Sequence, residues 1–172
     1  GPMQKLLNGG FVQSVRLMVD RLGFDAEPVI RTSQQIAVAT APIDSPIGVI
    51  KPGRVAGRRF CWDAVVTNAI VVRVAVNWLM GSENLDPPWS FGPAGERYEI
   101  EVRGHPNTFV TIKGWQPETV EEGLLSNPGV VATAAHCVNS IPAVCAAEPG
   151  VRGFFDLPPL TGRAAPLFSR RA

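Results

Sequence analysis

The side chains with the chemistry for catalysis are few: two histidines, three cysteines and a scatter of carboxylates among 172 residues. His136 directly precedes Cys137. Neighbours in a helix point roughly 100° apart, so the two are poorly placed to act as a nucleophile–base pair. A helix-packing or surface role for His136, and buried structural roles for Cys137 and Cys145, are the favoured readings. His105, beside Pro106, reads as a turn residue. Cys61, Cys137 and Cys145 are odd in number and lack CxxC spacing, which argues against a disulfide framework and a zinc site. It also fits a reducing, cytoplasmic setting.

Carboxylates pair as Glu99 with Glu101 and Glu121 with Glu122. The first pair shares a strand face with Arg97 and Arg103 and reads as an outward salt-bridge row. The second lies just before a helix, where negative charge is favourable without any catalytic role. Neither Gly92-Pro93-Ala94-Gly95 nor Gly9-Gly10 forms GxGxxG, and no GxxxxGK is present. A phosphate cradle needs a strand leading through a Gly-rich turn into a helix, so no dinucleotide site is readable. Trp78, Trp89 and Phe91 flank a long loop at one end of a strand. They suit a cover over a substrate cleft, although packing in a core or interface explains them more simply.

The elements that must position these residues follow from periodicity. Val12, Val15, Met18, Val19 and Leu22 form one stripe of a helix over 10–22, which Gly23 stops. A strand follows over 34–40, then a loop punctuated by prolines and glycines with an extended piece over 47–50. Strands over 58–66 and 70–79 are joined by a tight turn at Thr67-Asn68-Ala69. In the second, Val72, Val74, Val76 and Trp78 face one way, and Val71, Arg73, Ala75 and Asn77 the other.

Residues 81–95 read as an ordered loop over the sheet, and strands over 98–103 and 109–113 as a second hairpin. A polar connection over 116–123 leads to a helix over 128–140. Asn127 caps it, Pro128 fits its first turn, and Pro142 ends or kinks it. The sum is an α+β domain over 4–165: one mostly antiparallel sheet with helices on one face. Gly1-Pro2-Met3 reads as a cleavage remnant outside the fold, and 166–172 as a flexible basic tail.

Sixteen basic and fifteen acidic side chains give a net charge of +1, so no global field attracts nucleic acid or an anionic membrane. The run 64–80 is broken by Asn68, Arg73 and Asn77, and no uninterrupted stretch reaches the ~18 apolar residues of a membrane helix.

Three segments carry a resemblance. Val131-Ala132-Thr133-Ala134-Ala135-His136-Cys137-Val138-Asn139-Ser140-Ile141-Pro142-Ala143-Val144-Cys145 resembles the C-terminal helix of dihydrodipicolinate-reductase-like oxidoreductases. The branch in question contains 2,4-diaminopentanoate dehydrogenase and native amine dehydrogenases. Ile50-Lys51-Pro52-Gly53-Arg54-Val55-Ala56-Gly57 and Asp156-Leu157-Pro158-Pro159-Leu160-Thr161-Gly162 are similar to further family motifs, in the same order.

The resemblance implies a substrate-side and oligomerisation domain, with NAD or NADP bound by a separate nucleotide-binding domain and none bound by this domain alone. It implies a small carbonyl, imine or amine substrate and a homo-oligomer. Asn139, Trp78, Trp89 and Phe91 become the substrate-binding candidates, with no catalytic residue named. One departure stands out. Asn77-Trp78-Leu79-Met80-Gly81 replaces a stretch that carries titratable groups in the family, so a non-catalytic ligand-binding or dimerisation module is the rival reading.

Lacking the Gly-rich turn, the chain is expected to show no saturable heat with millimolar NAD or NADP in calorimetry. Micromolar binding would overturn the reading of the glycines.

Overall fold

The computed structural model describes residues 2–24, 26–45, 48–91, 97–115, 117 and 119–162. The chain forms two compact units, Gly1–Ala94 and Gly95–Ala172.

The first unit opens with α1 (Pro2–Leu22), which begins ahead of the predicted start and takes in Pro2 and Met3. Gly23 ends it as expected: its φ is +67°, and its N–H donates to the Val19 carbonyl. Strands β1 (Val29–Ala39), β4 (Val55–Val66), β5 (Ala69–Leu79) and the short β6 (Leu85–Asp86) form one sheet in the order β5-β4-β1-β6. Its pairings are antiparallel. Strands β2 (Ile43–Ser45) and β3 (Gly48–Ile50) make a separate small hairpin.

Strand β4 is central, and its alternation sets the two faces. Phe60, Trp62 and Ala64 are buried with Val15 and Val19 of α1. Phe11, Val72, Val74 and Val76 pack around them. The predicted stripe of α1 is therefore only partly buried, since Met18 and Leu22 remain exposed. Trp62 is 1% exposed and stacks on Phe11 with ring centroids 4.4 Å apart. Its indole N–H finds no acceptor among the described residues, a penalty of roughly 1–3 kcal/mol that the surrounding apolar burial offsets. Val71, expected on the opposite face, packs with this cluster instead. The register shifts between Ala64 and Val65, and such an irregularity re-aims the side chains beside it.

The second unit holds β7 (Tyr98–Val102), β8 (Thr108–Ile112), α2 (Val120–Leu125), α3 (Pro128–Ala146) and a 3-10 turn, Phe154–Asp156. The α+β class with antiparallel strands holds. The expected single sheet does not, because β7 and β8 pair only with each other among the described residues. Arg97–Glu99 and Arg103–Glu101 form the expected ion pairs.

The polar connection over 116–123 contains the start of α2, capped by Thr119, whose Oγ1 accepts from the Glu122 N–H at 3.1 Å. Glu121 and Glu122 thus lie in the first turn of a helix, not ahead of one. Asn127 caps α3 through Oδ1 and the Val130 N–H, with Pro128 in the first turn as predicted. Pro142 does not end α3, which runs on to Ala146. A proline there removes one N–H and leaves the Val138 carbonyl without its intrahelical partner.

The α3 helix buries no side chain within its unit. Val130, Val131, Val138, Ile141 and Val144 are exposed, and so are Cys137 and Cys145, which were expected to be buried. The span Glu121–Ala146 is long and apolar enough by composition to cross a membrane, a feature that counting uninterrupted apolar residues missed. It is broken at Ser126–Asn127, between α2 and α3. The proposed tail, 166–172, lies outside the described residues.

The β4–β5 turn has positive φ at both Thr67 (48°) and Asn68 (65°), a backbone that suits Asn-Gly and strains a β-branched residue. Thr67→Asn is expected to stabilise the chain by about 1 kcal/mol. Urea denaturation with an unchanged m-value is the check; an unchanged or lower midpoint contradicts strain at Thr67.

Candidate functional site

The face of the four-stranded sheet opposite α1 carries the polar chemistry of the first unit. Residues paired across an antiparallel sheet point to the same side. Three rows therefore cross this face: Gln35–Arg59–Asn77, Ser33–Cys61–Ala75 and Arg31–Asp63–Arg73.

In the last row Arg73 donates twice to Asp63, through Nε at 2.6 Å and Nη2 at 2.7 Å. That hydrogen bonding raises the Arg73 pKa further, so its guanidinium stays charged at every ordinary pH. In the first row Arg59 Nε donates to Asn77 Oδ1 at 2.7 Å. The middle row is built of small side chains.

Arg59 is held by more than Asn77. Its guanidinium carbon lies 4.7 Å from the Trp89 ring centroid and 5.4 Å from that of Phe91. The two rings meet edge-to-face, 6.2 Å apart at 85°. Trp89 is 8% exposed and packs with Ala37, Ala39, Ile43, Ala56 and Leu85. It reaches that position because residue 57 is glycine: a Cβ there would stand 2.7 Å from Trp89 Cζ3. The loop after β5 is carried back to the sheet by β6, where Leu85 pairs with Ala39 and Asp86 with Val38. The expectation of an ordered loop thus holds up to Phe91; residues 92–96 lie outside the described ones.

Of the four substrate-binding candidates, Trp89 and Phe91 come together. Trp78 does not join them: it meets Phe60 edge-to-face at 5.4 Å on the α1 side of the sheet. Asn139 belongs to the second unit and is half-buried on α3. Arg59 and Asn77 were not singled out for binding. Their signal was present in the alternation of β4 and β5, which puts both on the face opposite Phe60 and Trp62, but the Trp89 contact was not readable.

In the second unit His136 stacks on Phe154 with centroids 5.7 Å apart, a packing role. No group of three His, Cys, Asp or Glu side chains suited to a metal ion occurs among the described residues. Asn77 supplies a neutral acceptor to Arg59, where a carboxylate would neutralise it.

The family profile for the 2,4-diaminopentanoate dehydrogenase C-terminal domain matches residues 7–165. The chain is also 28% identical over 149 residues to the 2,4-diaminopentanoate dehydrogenase of Acetoanaerobium sticklandii. That alignment covers 87% of this chain and 37% of the relative, so the chain spans well under half of the relative's length.

Gly57→Ala tests how the site is built. Trp89 is buried against the backbone and cannot swing aside freely, so overpacking is expected to cost roughly 1–3 kcal/mol. The thermal midpoint should fall and indole fluorescence should change. A variant with wild-type stability and fluorescence would show that the ring does not depend on the missing Cβ.

Proposed function

The chain belongs to the 2,4-diaminopentanoate dehydrogenase C-terminal domain family, and from that membership we propose that it serves a nicotinamide-dependent oxidoreductase as the substrate-side and assembly domain. The substrate is a small carbonyl, imine or amine. NAD or NADP is bound elsewhere in the complete enzyme and supplies the hydride; this domain orients the reacting molecule. Among the described residues no Gly-rich turn leads from a strand into a helix, the usual cradle for the phosphates of such a cofactor.

The observation that carries the assembly role is α3. A 19-residue helix that is mostly apolar and buries nothing within its own unit needs another surface to cover it. The β7–β8 hairpin supports the same reading. Tyr98, Ile100, Val102, Phe109 and Val110 are all exposed, and two strands alone are marginal in water. With a net charge of only +1, nothing opposes contact between copies. A two-fold homodimer burying at least ~1,000 Å² satisfies both elements.

The second reading, a ligand-binding or dimerisation module without turnover, is favoured by Asn77–Gly81. There an amide and apolar side chains stand where acid–base groups are expected.

Two measurements test these readings. Sedimentation at tens of micromolar should give a dimer, and Val138→Glu on the exposed face of α3 should shift it toward an 18.4 kDa monomer without unfolding. A monomer in both the unaltered chain and the variant removes the assembly role. Expressed from its complete reading frame, the protein should oxidise NADH or NADPH in the presence of ammonium and a small ketone or aldehyde. Dimerisation without hydride transfer across such a panel would establish the second reading instead.

A further inference from the structure

We propose that α3 packs against α3 of a second copy of this chain, antiparallel, about a two-fold axis at Ile141. This deepens the proposed assembly role and rests on it: the seam becomes a named set of residues in a fixed register.

The run Cys137-Val138-Asn139-Ser140-Ile141-Pro142-Ala143-Val144-Cys145 is symmetric in its apolar positions. Val138 and Val144 stand three residues either side of Ile141, and Cys137 and Cys145 stand four either side. At 100° per residue, all four lie within about 60° of Ile141 around the helix. They form one stripe with it, and every member is exposed. Ala132, Asn139 and Ala143 are half-buried and lie on the opposite side of α3. The stripe therefore faces away from its own unit.

That symmetry selects the occupant. Between two antiparallel helices related by a two-fold axis, a residue before the axis meets the one equally far beyond it on the other copy. In this stripe the rule sets Val138 beside the partner's Val144 and Cys137 beside the partner's Cys145, with Ile141 on the axis. Like meets like at each step, a match that a surface of unrelated sequence has no reason to require. No Asp, Glu, Lys or Arg occurs from Pro128 to Ala146, so no charge opposes close approach. A 19-residue helix is ~28 Å long and ~10 Å across. Two copies packed lengthwise cover on the order of 1,000 Å² of accessible surface, the scale a stable interface needs.

The two cysteines report the register. Each lies about 6 Å along the helix from Ile141, so Cys137 and the partner's Cys145 share one height. Like cysteines of the two copies lie about 12 Å apart along the axis, and so do the two cysteines of one copy.

The experiment is cross-linking of the 172-residue chain at tens of micromolar with bismaleimidoethane, a thiol reagent too short to span that separation. Denaturing gels read the covalent dimer, and peptide mass spectrometry reads which cysteines are joined. A dimer linked through Cys137 and Cys145 is the expected result. Cys137→Ser and Cys145→Ser should each lose it, and mixing the two variants should restore it. Ile141→Glu sets two carboxylates on the axis and alters an exposed position. It should raise the dimer dissociation constant at least tenfold and abolish the link, with an unchanged far-ultraviolet circular dichroism spectrum. The same link is expected in the protein expressed from its complete reading frame.

A link that persists in either serine variant, or that joins like cysteines or Cys61 instead, would overturn this register. So would protection of both α3 cysteines without a link in the complete protein, since another part of the chain would then cover the stripe. A sedimenting dimer that never forms the link removes the α3 seam and leaves the assembly role standing. A sedimenting monomer removes both.

Discussion

In β4 every second side chain from Phe60 to Ala64 is buried beneath α1, and this tie between one helix and one central strand is what the first unit depends on. Trp62 is its centre. The indole is enclosed although its N–H finds no acceptor, so dispersion and apolar burial must exceed the cost of an unmade hydrogen bond. Once these three residues are committed to the core, the pleat leaves Arg59, Cys61 and Asp63 no choice but the opposite face. The polar face is therefore a consequence of the packing on its reverse.

Placement alone does not make a site. Arg73 and Arg59 stand on the same face in neighbouring strands, yet they are set up differently. Arg73 is bound at two points by Asp63 and its charge is spent within the sheet. Arg59 faces a neutral amide and two rings, one of which reaches it only because residue 57 lacks a Cβ. A backbone glycine, a loop tryptophan and an asparagine thus combine to orient one guanidinium on the sheet.

The second unit shows the converse economy of structure. Its helices are well capped by Thr119 and Asn127, so their ends are satisfied locally. Their flanks are not covered: Leu124 and Leu125 of α2 and the valines of α3 are exposed. Capping fixes where a helix begins, but its stability in water comes mainly from burying an apolar face. Here α3 has no buried residue.

Much of this was legible in the sequence. The stop at Gly23, the Asn127 cap, a tight turn near Thr67 and Asn68 and the alternation of β5 from Val72 onward are local chemistry, set by neighbours a few residues apart. The failures share one cause. The grouping of strands into three sheets, the exposure of Cys137 and Cys145 and the separation of Trp78 from Trp89 all depend on what each surface meets. Periodicity states which residues share a face, but not what lies across from it. The contact between Arg59 and Trp89 joins residues thirty positions apart, by way of β5 and the loop beyond it. Only the folded chain could decide it, because it arises from the return of β6 to β1 and from the space that Gly57 leaves open.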